Sequence, residues 1–125
     1  MPRTTFLFAA ILAASNPNYS AIANEDPMAG TYGNVVVVTN AKGDVSKLWI
    51  SQDGTYSYES AKGERRTGRW ARKGDQLCLT PNPRDDAPSP KESCAEFKGS
   101  HRVGDKWKQK NALGEEVTVE IRAPE

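Results

Sequence analysis

Between Leu48 and Phe97 the chain is written in short alternating runs cut by glycine turns. It reads L-W-I-S-Q-D-G-T-Y-S-Y, then G-E-R-R-T-G-R-W, then D-Q-L-C-L-T-P, and closes at S-C-A-E-F. A period of two sends successive side chains to opposite faces of a strand. Turns roughly every ten residues leave no room for helices, so the pattern demands a small antiparallel sheet.

The same grammar extends in both directions. Val35–Thr39 holds four consecutive valines and a threonine, all β-branched, and reads as a strand. Val45–Ser51 follows, with Leu48 and Ile50 on one face and Lys47, Trp49 and Ser51 on the other. Asp53-Gly54 is a tight-turn signal, because that pair accepts positive φ angles. Thr55–Glu59, Glu64–Arg72, Gln76–Pro81 and Ser93–Phe97 continue the series. Gly68, in register with Trp70, implies a bulge or an aromatic neighbour lying over the gap. Lys106, Lys108 and Lys110 alternate with Trp107 and Gln109, which predicts lysines outward and Trp107 inward. Val117, Val119 and Ile121 alternate with Thr118, Glu120 and Arg122 in the last strand. The expected fold is all-β: a small antiparallel meander barrel of seven to eight strands, with a two-sheet β-sandwich as the alternative.

The 125 residues set one domain as the limit. Residues 1–23 read as a cleaved secretory signal: Arg3, an apolar run Phe6–Ala14, and Ala21-Ile22-Ala23 before Asn24. Residues 24–29 are expected to be flexible, and 30–122 to form the single β domain. The stretch 82–92 carries three prolines and reads as a loop. The cleaved signal places the protein in the periplasm or outside the cell, and no transmembrane segment is expected in the mature chain. An exported chain with two cysteines suggests a disulfide between Cys78 and Cys94. Strand parity puts both opposite the apolar sets Leu77/Leu79 and Ala95/Phe97.

The turn and core signatures Gly30-Thr31-Tyr32, Asp53-Gly54-Thr55-Tyr56, Gly68-x-Trp70, Cys78-x-Thr80-Pro81, Cys94 and Gly114-Glu115-x-Val117-Thr118-Val119 span nearly all of residues 30–121. In these the chain resembles a group of small exported alphaproteobacterial proteins of unknown function. That resemblance implies an exported β fold and offers no catalytic residues. In size and strand count the chain is also similar to lipocalin-like barrels and to periplasmic lysozyme or protease inhibitors, an architectural likeness that does not imply function.

The residues give no support to catalysis, cofactor binding or a metal site. His101 sits in an expected turn without a partner at recognisable spacing, and Asp85-Asp86 reads as solvated charge in the proline-rich loop. No phosphate-binding or dinucleotide-binding glycine pattern occurs. Seventeen Lys and Arg face sixteen Asp and Glu, which argues against a nucleic-acid binder. Two residue sets remain as candidates. Arg65, Arg66, Arg69 and Arg72, with Lys106, Lys108 and Lys110, would form a basic face if the sheet brought them together. Such a face would suit an anionic envelope component or an acidic protein partner. A non-enzymatic surface binder, an inhibitor included, is the first reading. Trp49, Tyr56, Tyr58, Trp70 and Trp107 form the second set, which fills the core or lines a cavity. A small-ligand carrier with an aromatic-lined barrel is the alternative reading.

Overall fold

Strands form where the alternation predicts them: β1 (Val35–Thr39), β2 (Val45–Ile50), β3 (Thr55–Glu59), β4 (Arg65–Lys73), β5 (Gln76–Pro81), β6 (Ser93–Glu96), β7 (Lys106–Lys110) and β8 (Glu116–Arg122). The computed structural model describes residues 26–124, so the expected signal segment and its cleavage point lie outside the described residues. All pairings between the eight strands are antiparallel, in a single sheet ordered β6-β5-β4-β3-β2-β1-β8-β7. The β1–β8 pairing joins the two ends of the chain and curls the sheet round until β6 faces β7. The architecture is therefore a nearly closed eight-stranded barrel rather than a sandwich. A seam remains between β6 and β7, where Gln109 donates a hydrogen bond across to the carbonyl of Glu96.

Register decides which residues face inward. Val36 opposes Leu48 and Ile121, and Leu48 opposes Tyr58. Tyr56 opposes Gly68, Trp70 opposes Leu79, and Trp107 opposes Val119. These form the interior, with Ile50, Leu77, Phe97 and Val117 in the same core. The Tyr56 ring crosses Gly68: a Cβ there would stand 2.7 Å from Tyr56 Cε1 and against the Thr80 carbonyl. Of the two readings for this glycine, the overlying aromatic is the one realised.

Cys78 pairs directly with Cys94 across β5 and β6, and the two form a disulfide. Its side chains lie on the face opposite Leu77 and Ala95, as parity requires. A disulfide suits a chain that folds in an oxidising compartment. Among the described residues no helix is long and apolar enough to cross a membrane.

One segment departs from expectation. Within the stretch 24–29 expected to be flexible, Asp26–Ala29 folds onto the barrel as a strap, continuing into a short 3₁₀ turn over Ala29–Thr31. Met28 is 1% exposed and belongs to the core cluster. A lone methionine in a polar flank carries no periodicity, but its flexible thioether fills an irregular gap well.

Candidate functional site

The meander gives the barrel two unlike ends. At one end lie the strap, the 51–54 turn and the 97–105 loop; at the other lie the turns at 40–44, 60–64 and 111–115 and the loop 82–92. We call them the closed end and the open end.

Inside the barrel the closed end is packed; a recess of about 510 Å³ remains there between the strap and the 97–105 loop, lined by Asp26, Gly30, His101, Arg102 and Asp105, and no core residue lines it. Trp70 Nε1 donates to the Ser51 carbonyl at 2.7 Å, and its ring lies 6.1 Å from Tyr32. Tyr32 donates to Asp26 Oδ2 at 2.7 Å, and the other Asp26 oxygen accepts the Met28 amide. The Tyr32 hydrogen bond, then the Met28 amide, hold the Asp26 carboxyl below its ordinary range. Burial, then the Asp26 carboxylate, push the Tyr32 phenol up to about 12. Arg72 reaches inward, 3.5 Å from Met28 Sδ and 5.8 Å from the Phe97 ring centre. Gly30 lies so close to the His101 carbonyl that any Cβ would collide with it.

His101 belongs to this packing. Its ring stacks on Trp107 at 3.5 Å between centres, and Phe97 meets both rings edge-on. Its Nε2 lies 2.8 Å from the Lys98 carbonyl, and Nδ1 lies 3.7 Å from Asp105, beyond hydrogen-bond reach. A nitrogen committed to a backbone carbonyl is not poised to take a proton from a substrate. Asp86 of the Asp85-Asp86 pair is bound to Arg84 at 2.9 Å. Cys78, Glu92 and Cys94 lie close enough to suggest a metal set, but the two sulfurs are joined to each other.

The open end is hollow. Its inward positions are small or medium: Val38, Ser46, Ser93, Ala95 and Val117, with Leu79 and Tyr58 above the floor made by Leu48, Leu77 and Phe97. They enclose an apolar cavity of about 370 Å³. A second recess of about 420 Å³ shares Tyr58, Leu79 and Ser93 with it and adds Tyr56, Ser60, Glu64, Arg66, Pro81 and Lys91. A third, of about 370 Å³, continues over Val38, Ser46, Tyr58 and Val117 to the turn residues Asp44, Lys62 and Glu115. The shared walls make these compartments of one mouth. Leu113 stands on its rim at 83% exposure, a large apolar side chain that no core claims. The seam borders the cavity, since Ala95, Glu96 and Phe97 line one side and Gln109, Asn111 and Ala112 the other.

The expected site residues are divided by this geometry. Of the aromatic set, Tyr58 lines the main cavity and Tyr56 the adjoining recess, whereas Trp70 and Trp107 fill the closed end. Trp49 is neither core nor cavity: it lies outside the barrel with the Arg65 guanidinium 5.8 Å from its ring centre. Of the basic set, Arg65 and Arg69 point outward from β4, while Arg66 and Arg72 share the inward face with Gly68 and Trp70. Lys106, Lys108 and Lys110 point outward from β7 beside the seam. β5 and β6 stand between β4 and β7, so the arginines and lysines do not share one face. The inward arginines were within reach of parity, because Arg66, Gly68, Trp70 and Arg72 are spaced by two. The strap and the rim residue Leu113 had no such signal.

Compared with protein-family models, curated proteins and solved structures, the chain matches none, and its function must be read from its own geometry.

Proposed function

We propose that the protein is an exported, non-enzymatic binder of a small apolar ligand, held at the open end of the barrel. The apolar cavity bounded by Val38, Leu48, Tyr58, Leu79 and Val117 carries this reading. Its volume of about 370 Å³ falls at the low end of small-molecule sites, which run from roughly 300 to 1,000 Å³. In an eight-stranded barrel the side chains are just large enough to fill the interior. Hollowness at one end therefore reflects the choice of Ser46, Ser93 and Ala95 where larger residues fit. The disulfide, the signal-like leader and the resemblance to exported proteins support an envelope or extracellular setting.

Binding of an anionic envelope component through the outer surface stands second, favoured by the row of Lys106, Lys108 and Lys110 along β7. Native mass spectrometry of the protein taken from the cell that makes it separates the two. The ligand reading expects a small added mass on a chain beginning at Asn24. It also expects one-to-one binding of a neutral apolar dye, abolished in Ala95→Phe. A dye that binds Ala95→Phe as well as the natural chain would count against the cavity, and a retained polymer or protein would favour the lysine row.

A further inference from the structure

The mouth of the cavity has a charge pattern that the apolar reading alone does not use. Arg66 lies opposite Tyr58 in the β3–β4 register and lines the recess above the cavity. Lys91, at the end of the proline-rich loop, lines the same recess. Among the described residues neither makes an ion pair or a side-chain hydrogen bond. Arginines and lysines nearby are treated differently. Arg65 is bound to Glu59 at 3.2 Å, Lys73 to Glu92 at 2.9 Å and Arg84 to Asp86 at 2.9 Å. Asp86, the acid whose field reaches Arg66, is thus already occupied. Glu64 is the single carboxylate among the residues lining the recess, and two cations outweigh it. The other acids of the mouth have partners: Glu96 on the seam side lies 4.0 Å from Lys98, and Asp44 and Glu115, which line the opposite compartment and outnumber its Lys62, accept from Asn40 and Asn111. The mouth is therefore positive on the β4 side and negative across from it.

We propose that the open end takes a single-chain amphiphile with an anionic head, its hydrocarbon tail in the cavity under Tyr58 and Leu79 and its carboxylate against Arg66 and Lys91. This rests on the small-ligand reading above and names the class of ligand. The small volume admits one chain rather than the paired chains of a membrane lipid. The tail supplies affinity in proportion to the apolar surface it buries, about fourfold per methylene until the cavity is full. The head supplies orientation, because an arginine guanidinium offers a carboxylate two parallel donors. Leu113 on the rim extends the apolar wall that the tail crosses on entry.

The test is a calorimetric titration of the mature protein with decanoate and with decanol, repeated on Arg66→Gln/Lys91→Gln. The expected result is that the double variant binds decanoate roughly fivefold to tenfold more weakly than the natural chain, with decanol affinity unchanged. Raising the salt to about 1 M should erase the difference, since both cations are solvent-exposed. Retained decanol binding shows that the variant is folded. If decanoate binding is equal in the two proteins while decanol binds, the head inference is overturned and the cavity reading stands. If neither amphiphile binds the natural chain, both fall.

Discussion

The two ends of this barrel are built from the same eight strands with the same alternation, yet one is filled and the other is hollow. At the closed end the inward positions are Ile50, Trp70 and Trp107 beneath the Phe97 floor, and groups from outside the sheet, Met28 and His101, complete the packing. At the open end the matching positions are Ser46, Ser93, Ala95 and Val117, and the rim residue Leu113 packs on nothing. The difference teaches that strand alternation sets which side chains face inward, while their size, end by end, sets whether the interior is core or site. Buried packing is concentrated at one end and the apolar cavity at the other.

The largest expected effect lies at the closed end. Met28→Ala removes a fully buried side chain beneath the strap and should cost about 2–5 kcal/mol in urea unfolding. Leu113→Ala at the open end should stay within about 0.5 kcal/mol. Equal losses at the two sites would erase the distinction. Next comes Cys78→Ser/Cys94→Ser, which frees the loop forming one side of the mouth. Closing a loop of about 15 residues is worth roughly 3 kcal/mol in the chain-entropy model, so the variant should stay β-rich with a clearly lower melting temperature. An unchanged melting temperature would show that the disulfide adds nothing to the fold. Ala95→Phe, which fills space at the open end, should change stability by less than about 1 kcal/mol. Overpacking a filled core costs about 1–3 kcal/mol, so a loss of that size would mean the cavity is not open.

The smallest effect is the pH dependence of the strap. The Tyr32 phenol is pushed up to about 12 in the folded protein, from an ordinary 10. Its contribution is present in full below pH 10 and is lost as the pH rises towards 12. Asp26 is shifted downward, so its contribution is present above its ordinary value of 3.8 and is lost as the pH falls through the folded value. Melting temperature measured against pH should fall less steeply above pH 10 in Tyr32→Phe than in the natural chain. Parallel alkaline limbs would show that the Tyr32–Asp26 contact does not fasten the strap.

Much of the barrel was legible because strands announce themselves twice, by alternation and by the turns that end them. Gly54 sits at positive φ in the tight turn that Asp53-Gly54 marks in the sequence. The cysteine pairing was legible for the same reason, since parity put both on one face. The open end was not legible. Val38, Tyr58, Leu79 and Val117 come from four strands, and only the barrel's register lifts them to one level. Whether the Arg and Lys sets share a face was not legible, because that condition turns on topology. β4 and β7 are far apart in the sheet, and alternate arginines on β4 point to opposite sides. Single side chains such as Met28 carry no periodic signal at all.

The most direct test of the account is the pair of questions whether, and where, a neutral apolar ligand binds. Amide and indole resonances of the mature protein, followed while decanol is added, answer both. The account predicts saturable shifts at Val38, Leu79, Leu113 and Val117, with the indole signals of Trp70 and Trp107 unmoved. Shifts centred on Trp107 and His101, or none that saturate, would contradict it.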